Sequence, residues 1–203
     1  MGPLRPNRSG GHTRRRLVLA AGAGLGLAAF GALVSAQSVA HPNTLAIVPE
    51  DGNNLAFQFS LNVPQVLHQL LSPSTPFPAF LQNYAHMPPA AWAVDLQKAK
   101  AKLASGGVLT LPGGRPIRLQ SWQWPDPDAM AQSLKAQELI LQMAEPSRPH
   151  LDPVRVLARL QTPGPIHQAQ LQLPSALYPI EVTIKTDTFW LTSQIPLARV
   201  TFP

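Results

Sequence analysis

The sequence contains no cysteine. This absence excludes disulfide bonds, thiolate metal sites and anchoring through a lipid-modified cysteine. The histidines are never spaced as H-x-H or H-E-x-x-H, and the sequence has neither a G-x-S-x-G elbow nor a glycine-rich phosphate loop. Those motifs are the local signatures of metal-dependent hydrolases, serine hydrolases and nucleotide-binding enzymes. The sequence therefore favours a non-catalytic protein, although carboxylates brought together only by the fold would leave no such signature.

The first 40 residues have the order of an export signal. Residues 1–16 contain five arginines and no acid, residues 17–34 are uncharged, and residues 34–40 are mostly small. A basic, then apolar, then small-residue order is typical of a secretory leader. The run TRRRLV at 13–18 resembles the twin-arginine export motif, with the general export route as the alternative. A second alternative is an N-terminal anchor, because the uncharged stretch 17–40 is long enough to span about 30 Å of hydrocarbon.

Two positions near the end of this leader suit a signal peptidase. Small residues stand at the required spacing before cleavage after Ala36 and before cleavage after Ala40. Cleavage after Ala40 would make His41 the first residue of the mature protein. Its amino group and ring nitrogen would then bind one copper ion in a histidine brace, since imidazole ligands suit copper. Cleavage after Ala36 would leave His41 an ordinary side chain near a frayed terminus.

A histidine brace needs a second histidine from the folded domain. His86 is the preferred partner, because Tyr84 is close to it in sequence and because loops commonly carry binding residues. The sequence therefore predicts His41 and His86 as candidate metal ligands, with copper as the candidate cofactor.

The basic charge of the chain belongs to its leader. The formal net charge is +6, but five of the 16 basic residues lie within residues 1–16. Residues 41–203 keep 11 basic residues against 10 acidic ones, a charge of only +1. That balance gives no support for a nucleic-acid partner. We expect one periplasmic domain at 41–203, which would touch a membrane only through an uncleaved segment 17–40.

Alternating apolar and polar residues dominate the rest of the chain. The stretch 55–63, LAFQFSLNV, alternates over nine residues, and TLAIVP before it completes a hairpin. Residues 64–105 show helical spacing instead, with prolines at helix starts. Residues 128–145 fit either one helix or a short helix followed by a strand at 138–144. We predict a mainly β fold, an antiparallel, immunoglobulin-like β-sandwich with a helical insertion around 64–105.

Trp122 and Trp124 form a second candidate site, one for a bound ligand. Ile117 and Leu119 point to one side of their strand, so strict alternation would point both tryptophans to the other side. One interpretation is an exposed aromatic pair on which a sugar or peptide would stack. The other is a bulge near Ser121 that shifts the register and lets the core or the helical insertion cover the rings.

Three segments of the chain resemble a known family. They are LNVPQVL at 61–67, the hairpin VLTLPGGRPI at 108–117 and the strand LPSALYPIEVTI at 173–184. Together with the leader that ends in Ala-His, they resemble the exported N-terminal domain of HupE/UreJ-like hydrogenase and urease accessory membrane proteins. The resemblance implies an exported accessory domain. The nickel-transport role proposed for those proteins belongs to a transmembrane part that this sequence lacks, and no site residue is carried over from the family.

We therefore expect a periplasmic or secreted bacterial binding domain without catalytic activity, and a protein of the cell envelope as its partner. One alternative is a copper-binding carrier or oxidase built on His41. Another is an envelope protein anchored in the inner membrane by residues 17–40.

Overall fold

The computed structural model describes residues 42–50, 53–144, 148–185 and 187–202. These residues belong to one compact unit. The predicted export signal at 1–40 and the candidate ligand His41 lie outside the described residues. Within the described ranges, no helix is both long enough and apolar enough to cross a membrane.

The described ranges hold ten strands and four α-helices. The strands are β1 (Asn43–Pro49), β2 (Asn54–Leu61), β3 (Val108–Thr110), β4 (Pro116–Arg118), β5 (Gln120–Gln123), β6 (Val154–Gln161), β7 (Gln168–Gln172), β8 (Ile180–Ile184), β9 (Asp187–Leu191) and β10 (Leu197–Thr201). The helices are α1 (Val63–Leu71), α2 (Phe77–Ala85), α3 (Pro89–Gly106) and α4 (Pro127–Gln142), and a 3-10 turn covers Ser175–Leu177.

The strands form two sheets. The six-stranded sheet has the order β5-β6-β2-β1-β8-β9, and the four-stranded sheet has the order β10-β7-β3-β4. The predicted hairpin is confirmed, since β1 pairs antiparallel with β2 and places Leu45 opposite Phe59. Alternate residues of each strand face inward, so that one hydrophobic core joins both sheets and all four helices. Phe57, Phe59 and Ile47 are among its fully buried side chains.

Two parts of the fold prediction need correction. The strands are not all antiparallel, because β1 and β8 run parallel, with Leu45 opposite Val182. A parallel pair needs a long crossover, and alternation within each strand says nothing about which distant strands become neighbours. The class is also less β than predicted, because the helices cover about as many residues as the strands. The prediction of sheets interrupted by a helical insertion is confirmed.

Helices α1 and α4 begin at a capping side chain, whereas α2 and α3 follow Pro76 and Pro88 and have no side-chain cap. The side chain of Asn62 accepts a hydrogen bond from the Gln65 amide at 3.3 Å and opens α1. The three helices α1 to α3 fill the predicted insertion at 64–105. Residues 127–142 form one helix, which decides between the two interpretations of that segment, and Asp126 caps it by accepting from the Asp128 amide at 2.7 Å.

His68 is a structural histidine of the helical layer. It is buried on α1, where its ring contacts Phe77 and Phe80 at centroid distances of 5.3 and 5.1 Å. Its Nε2 lies 2.6 Å from the carbonyl oxygen of Thr75. Since a carbonyl only accepts, Nε2 carries the proton and donates to it. The side chain therefore ties α1 to the turn that precedes α2.

Candidate functional site

A bulge in β5 decides the direction of the two predicted tryptophans. Ser121 has a φ of 49°, in the left-handed region, and the register with β6 is irregular between Gln120 and Gln123. A bulge of this kind turns the residues that follow it. Trp122 stacks on Phe59 of the core face at a centroid distance of 5.5 Å and an interplanar angle of 17°. The interpretation with a bulge near Ser121 is therefore confirmed.

The two tryptophans contact each other. The rings of Trp122 and Trp124 stack with centroids 5.5 Å apart and planes 14° apart, and the indole N–H of Trp122 donates to the Leu119 carbonyl at 3.1 Å. Lys100 Nζ lies 5.7 Å from the Trp124 ring centroid. Both rings are half-buried and pack against the core. Their ligand-binding role stays a prediction, because the contacts described here are all within the protein.

Trp124 and Lys100 also border a small apolar cavity. Its other walls come from the end of β2 and from three helices: Leu61, Val63, Val66, Leu67, Leu70, Leu96, Ala99 and Met130. Burial lowers the pKa of Lys100. An ammonium held against a ring and an apolar wall has lost part of its hydration, and the attraction of the ring compensates part of that loss.

The candidate metal ligand His86 lies at the end of α2. Its ring Nε2 is 3.0 Å from a carboxylate oxygen of Glu138 on α4, and the side chain is 69% exposed. Tyr84 points elsewhere, since its hydroxyl donates to Asp95 at 3.2 Å. Among the residues that the structure describes, no group of three His, Cys, Asp or Glu side chains is placed to hold a metal ion. The copper site stays a prediction, because its first ligand, His41, lies outside those residues.

The outer face of the four-stranded sheet is a polar surface. We call it the glutamine face, because alternate residues of its strand β7 are exposed glutamines while Ala169 and Leu171 between them are buried. It comprises the outward-facing residues of the four strands: Val108, Thr110, Pro116, Arg118, Gln168, Gln170, Gln172, Leu197, Arg199 and Thr201. No acidic residue belongs to this set.

Strand pairing aligns the side chains of the glutamine face in rows. One row runs Arg199, Gln170, Thr110 across β10, β7 and β3. The neighbouring row begins with Leu197 and ends with Arg118. Alternation in the sequence QAQLQ predicts that the glutamines share one face. It does not predict that two arginines from strands far apart in sequence lie beside them.

A turn borders the glutamine face on one side. Residues 111–114 form a tight turn in which the Gly114 amide donates to the Leu111 carbonyl at 3.0 Å. Gly113 has a φ of +66°, which favours glycine. This turn, Gln168, Gln170 and Arg199 line an open groove that encloses about 600 Å³, part of it open to solvent. The groove therefore combines amide groups, a guanidinium and turn backbone.

Within the described part of the chain, the arginines of the glutamine face have no carboxylate partner, and neither does Arg155 on the other sheet, whereas Arg159 has one. Arg159, on the outer face of the six-stranded sheet, lies 3.3 Å from a carboxylate oxygen of Glu50. Neither Arg118 nor Arg199 has such a partner among the described residues. Guanidinium groups bind carboxylates with two parallel hydrogen bonds, and amide side chains both donate and accept. The face is therefore equipped to bind an acidic ligand with further polar groups.

No protein-family model matches the chain, and no curated protein matches it. The resemblance to HupE/UreJ-like accessory proteins accordingly stays a prediction.

Proposed function

We propose that the chain is an exported, non-catalytic accessory domain of the bacterial envelope, and that it binds an acidic segment of a partner protein through the glutamine face. The observation that carries the proposal is the row Arg199, Gln170, Thr110, which ends in an arginine without a carboxylate partner among the described residues. Export is supported by the leader pattern of residues 1–40.

The composition of the glutamine face supports a protein as the ligand. Leu197 is 44% exposed and stands in the same row as Val108, so apolar and cationic side chains alternate with amides. Arginine together with apolar contact area is typical of protein interfaces. None of the residues in the face is aromatic, whereas sugar recognition commonly relies on stacking against aromatic rings. Charge complementarity then selects an acidic segment, since the face contains two arginines and no acid.

The scaffold is part of the same proposal. An immunoglobulin-like arrangement is supported by the single core shared by both sheets and by the chain passing between them from β4 to β5 and from β6 to β7. In immunoglobulin-like domains, strands on a rigid sandwich present exposed faces and loops to partners. The accessory role agrees with what the resemblance to HupE/UreJ-like proteins implies.

Photo-crosslinking in intact cells tests the proposal. A photoreactive amino acid replaces Gln170 in one variant and Gln58 in the control, because Gln58 is also an exposed glutamine, on the outer face of the other sheet. We expect a covalent adduct with one defined protein from position 170 only. Arg199→Glu should abolish it by reversing the charge, whereas Arg155→Glu on the other sheet should not. Equal adducts at both positions, or an adduct indifferent to Arg199→Glu, would overturn the proposal.

A further inference from the structure

The four strands at the sheet edges differ in how well they are protected. An edge strand exposes unpaired backbone N–H and C=O groups that pair with another strand unless something blocks them. β4 has three residues and begins with Pro116, and β5 is bulged at Ser121. β9 and β10, in contrast, each have five residues, contain no proline and keep an unbroken register with their neighbour. Among the described strands, two edges are therefore suited to strand addition.

The geometry of the β8–β9 hairpin identifies the free backbone groups of β9. Two residues separate Ile184 from its partner Asp187, and Lys185 has a φ of 54°, as in turns closed by a hydrogen-bonded pair. Hydrogen-bonded and non-hydrogen-bonded pairs then alternate along the strand. Thr188 and Trp190 fall in the non-hydrogen-bonded positions, so their N–H and C=O groups point away from β8.

Side chains agree with this assignment. The hydroxyl oxygens of Thr188 and its partner Thr183 lie 3.3 Å apart, as expected for the closer side chains of a non-hydrogen-bonded pair. Trp190, the other residue with free backbone groups, leaves 45% of its surface exposed on the outer face of the sheet. A strand added along β9 would satisfy these backbone groups and cover the indole ring at the same time.

We infer that β9 pairs antiparallel with β9 of a second copy of this chain, so that two six-stranded sheets become one continuous sheet. The register that pairs all five residues places Phe189 opposite Phe189 of the second copy. Thr188 then lies opposite Trp190, which are the residues with free backbone groups, and Asp187 lies opposite Leu191. Each residue keeps its own face, because opposite residues have numbers of equal parity. No like charges meet in this register.

Like charges that would face each other exclude β10 as the edge that pairs with its own copy. The middle residue of β10 is Arg199, so the register that pairs all five of its residues would place Arg199 opposite Arg199 of the second copy. Like charges directly opposite each other destabilise an antiparallel pair. β9 is therefore the edge that is complementary to its own copy. The strands that carry the glutamine face take no part in this dimer.

Light scattering during size-exclusion chromatography tests the dimer on the purified protein. We expect the wild-type protein to have twice the chain mass. Thr188→Pro removes an outward N–H, which an edge strand tolerates, and should give a folded monomer. Thr188→Val keeps the N–H and should remain dimeric. A monomeric wild-type protein at every concentration, or two variants with the same oligomeric state, would overturn the inference. A strand from a different protein would leave the purified chain monomeric and would count against it too.

A cysteine pair keeps the inference testable if Thr188→Pro fails to fold. Because the chain has no cysteine of its own, the double variant Thr188→Cys with Trp190→Cys forms disulfides only between introduced thiols. The register predicts a covalent dimer on a non-reducing gel, and Gln58→Cys should give none. A double variant that stays a monomer under oxidation contradicts the register. The photo-crosslink from position 170 is scored separately, so the dimer and the partner surface fail or succeed independently.

Discussion

At the scale of single residues, Lys100 and Lys98 show opposite electrostatic environments on one helix. Burial lowers the pKa of Lys100, whose ammonium lies against Trp124. The hydrogen bond from Lys98 to Asp95, 2.8 Å long, raises the pKa of Lys98. The two lysines therefore contribute to the pH dependence of stability with opposite signs.

We predict that substituting the two lysines separates these contributions. Between its lowered folded pKa and the ordinary value of about 10.4, Lys100 binds more protons in the unfolded chain, so it makes the wild-type protein more stable as pH rises. Between the ordinary value and its raised folded pKa, Lys98 binds more protons in the folded chain. It therefore makes the protein less stable as pH rises. Urea unfolding at a series of alkaline pH values, on wild type, Lys100→Met and Lys98→Met, measures both.

The test compares the free energy of unfolding of wild type with that of each lysine variant at the same pH. Burial raises the pKa of Tyr84 and Tyr178, and their titration reduces stability at alkaline pH. The Tyr178 contribution cancels in both differences, whereas the Tyr84 contribution cancels only for Lys100→Met, because the charge of Lys98 acts on the pKa of Tyr84. The free energy of unfolding of wild type minus that of Lys100→Met should rise with pH. The free energy of unfolding of wild type minus that of Lys98→Met should fall with pH. Differences that do not vary with pH would contradict the assignment of both environments.

Single residues were predictable where their partner is close in sequence. The cap of α4 is such a local contact, since the side chain of Asp126 accepts from the amide two residues away. The position of Trp122 and Trp124 relative to Leu119 left two interpretations, an exposed pair or a bulge near Ser121, and the bulge is present. The contact of His86 with Glu138 joins residues 52 apart in sequence, so no local pattern reveals it. The unpaired state of Arg118 and Arg199 was unpredictable for the same reason.

At the scale of elements, Ser121 gives β5 its bulge. A residue other than glycine in the left-handed region costs about 1 kcal/mol or more, and a β-branched one costs more still. Here the bulge aligns Trp122 with Phe59 and so joins the edge strand to the core. The backbone conformation at Ser121 is therefore the local condition for the aromatic stack.

We predict that the preference for side chains at Ser121 is the reverse of that at an ordinary strand position. Ser121→Val should lower the free energy of unfolding by about 1–2 kcal/mol, while Ser121→Gly should not lower it. Ser60 on β2, which lies outside the left-handed region, is the matched position. There Ser60→Gly should lower stability by about 0.5–1 kcal/mol and Ser60→Val should be tolerated. Urea unfolding followed by tryptophan fluorescence measures the free energy of unfolding of all four variants. The same order of stability for glycine and valine at both sites would contradict the prediction.

Elements were predictable to the extent that their pattern is local. Helical spacing in 64–105 and alternation in 55–63 led to the observed helices and to β2. The stretch 116–124, in contrast, contains two strands that belong to different sheets, since the chain turns at Leu119 from β4 to β5. The parallel pairing of β1 with β8 also depends on chain segments far apart, which periodicity does not report.

At the scale of the whole molecule, the surplus of basic charge and the proposed binding face lie in different parts of the chain. The surplus of basic residues lies within residues 1–16, and residues 41–203 are nearly neutral. Within the described residues, two arginines are nevertheless concentrated on the glutamine face without an acid beside them. A cationic face without an acid of its own attracts an acidic partner to that face.

The position of cleavage also separates the proposed binding domain from its copper alternative. A mature chain that begins at Gln37 has no terminal histidine and therefore no brace. A chain that begins at His41 has one, and copper titration followed by electron spin resonance would then report nitrogen ligation, with His86→Ala testing the second ligand.

The central claim is that the leader is removed during export and that the domain works outside the cytoplasm. The most direct test is the intact mass of the protein recovered from the periplasmic fraction of bacteria that express the full sequence. The account predicts a chain that begins at Gln37 or at His41. A protein found only in the cytosol with residues 1–36 still attached would contradict it.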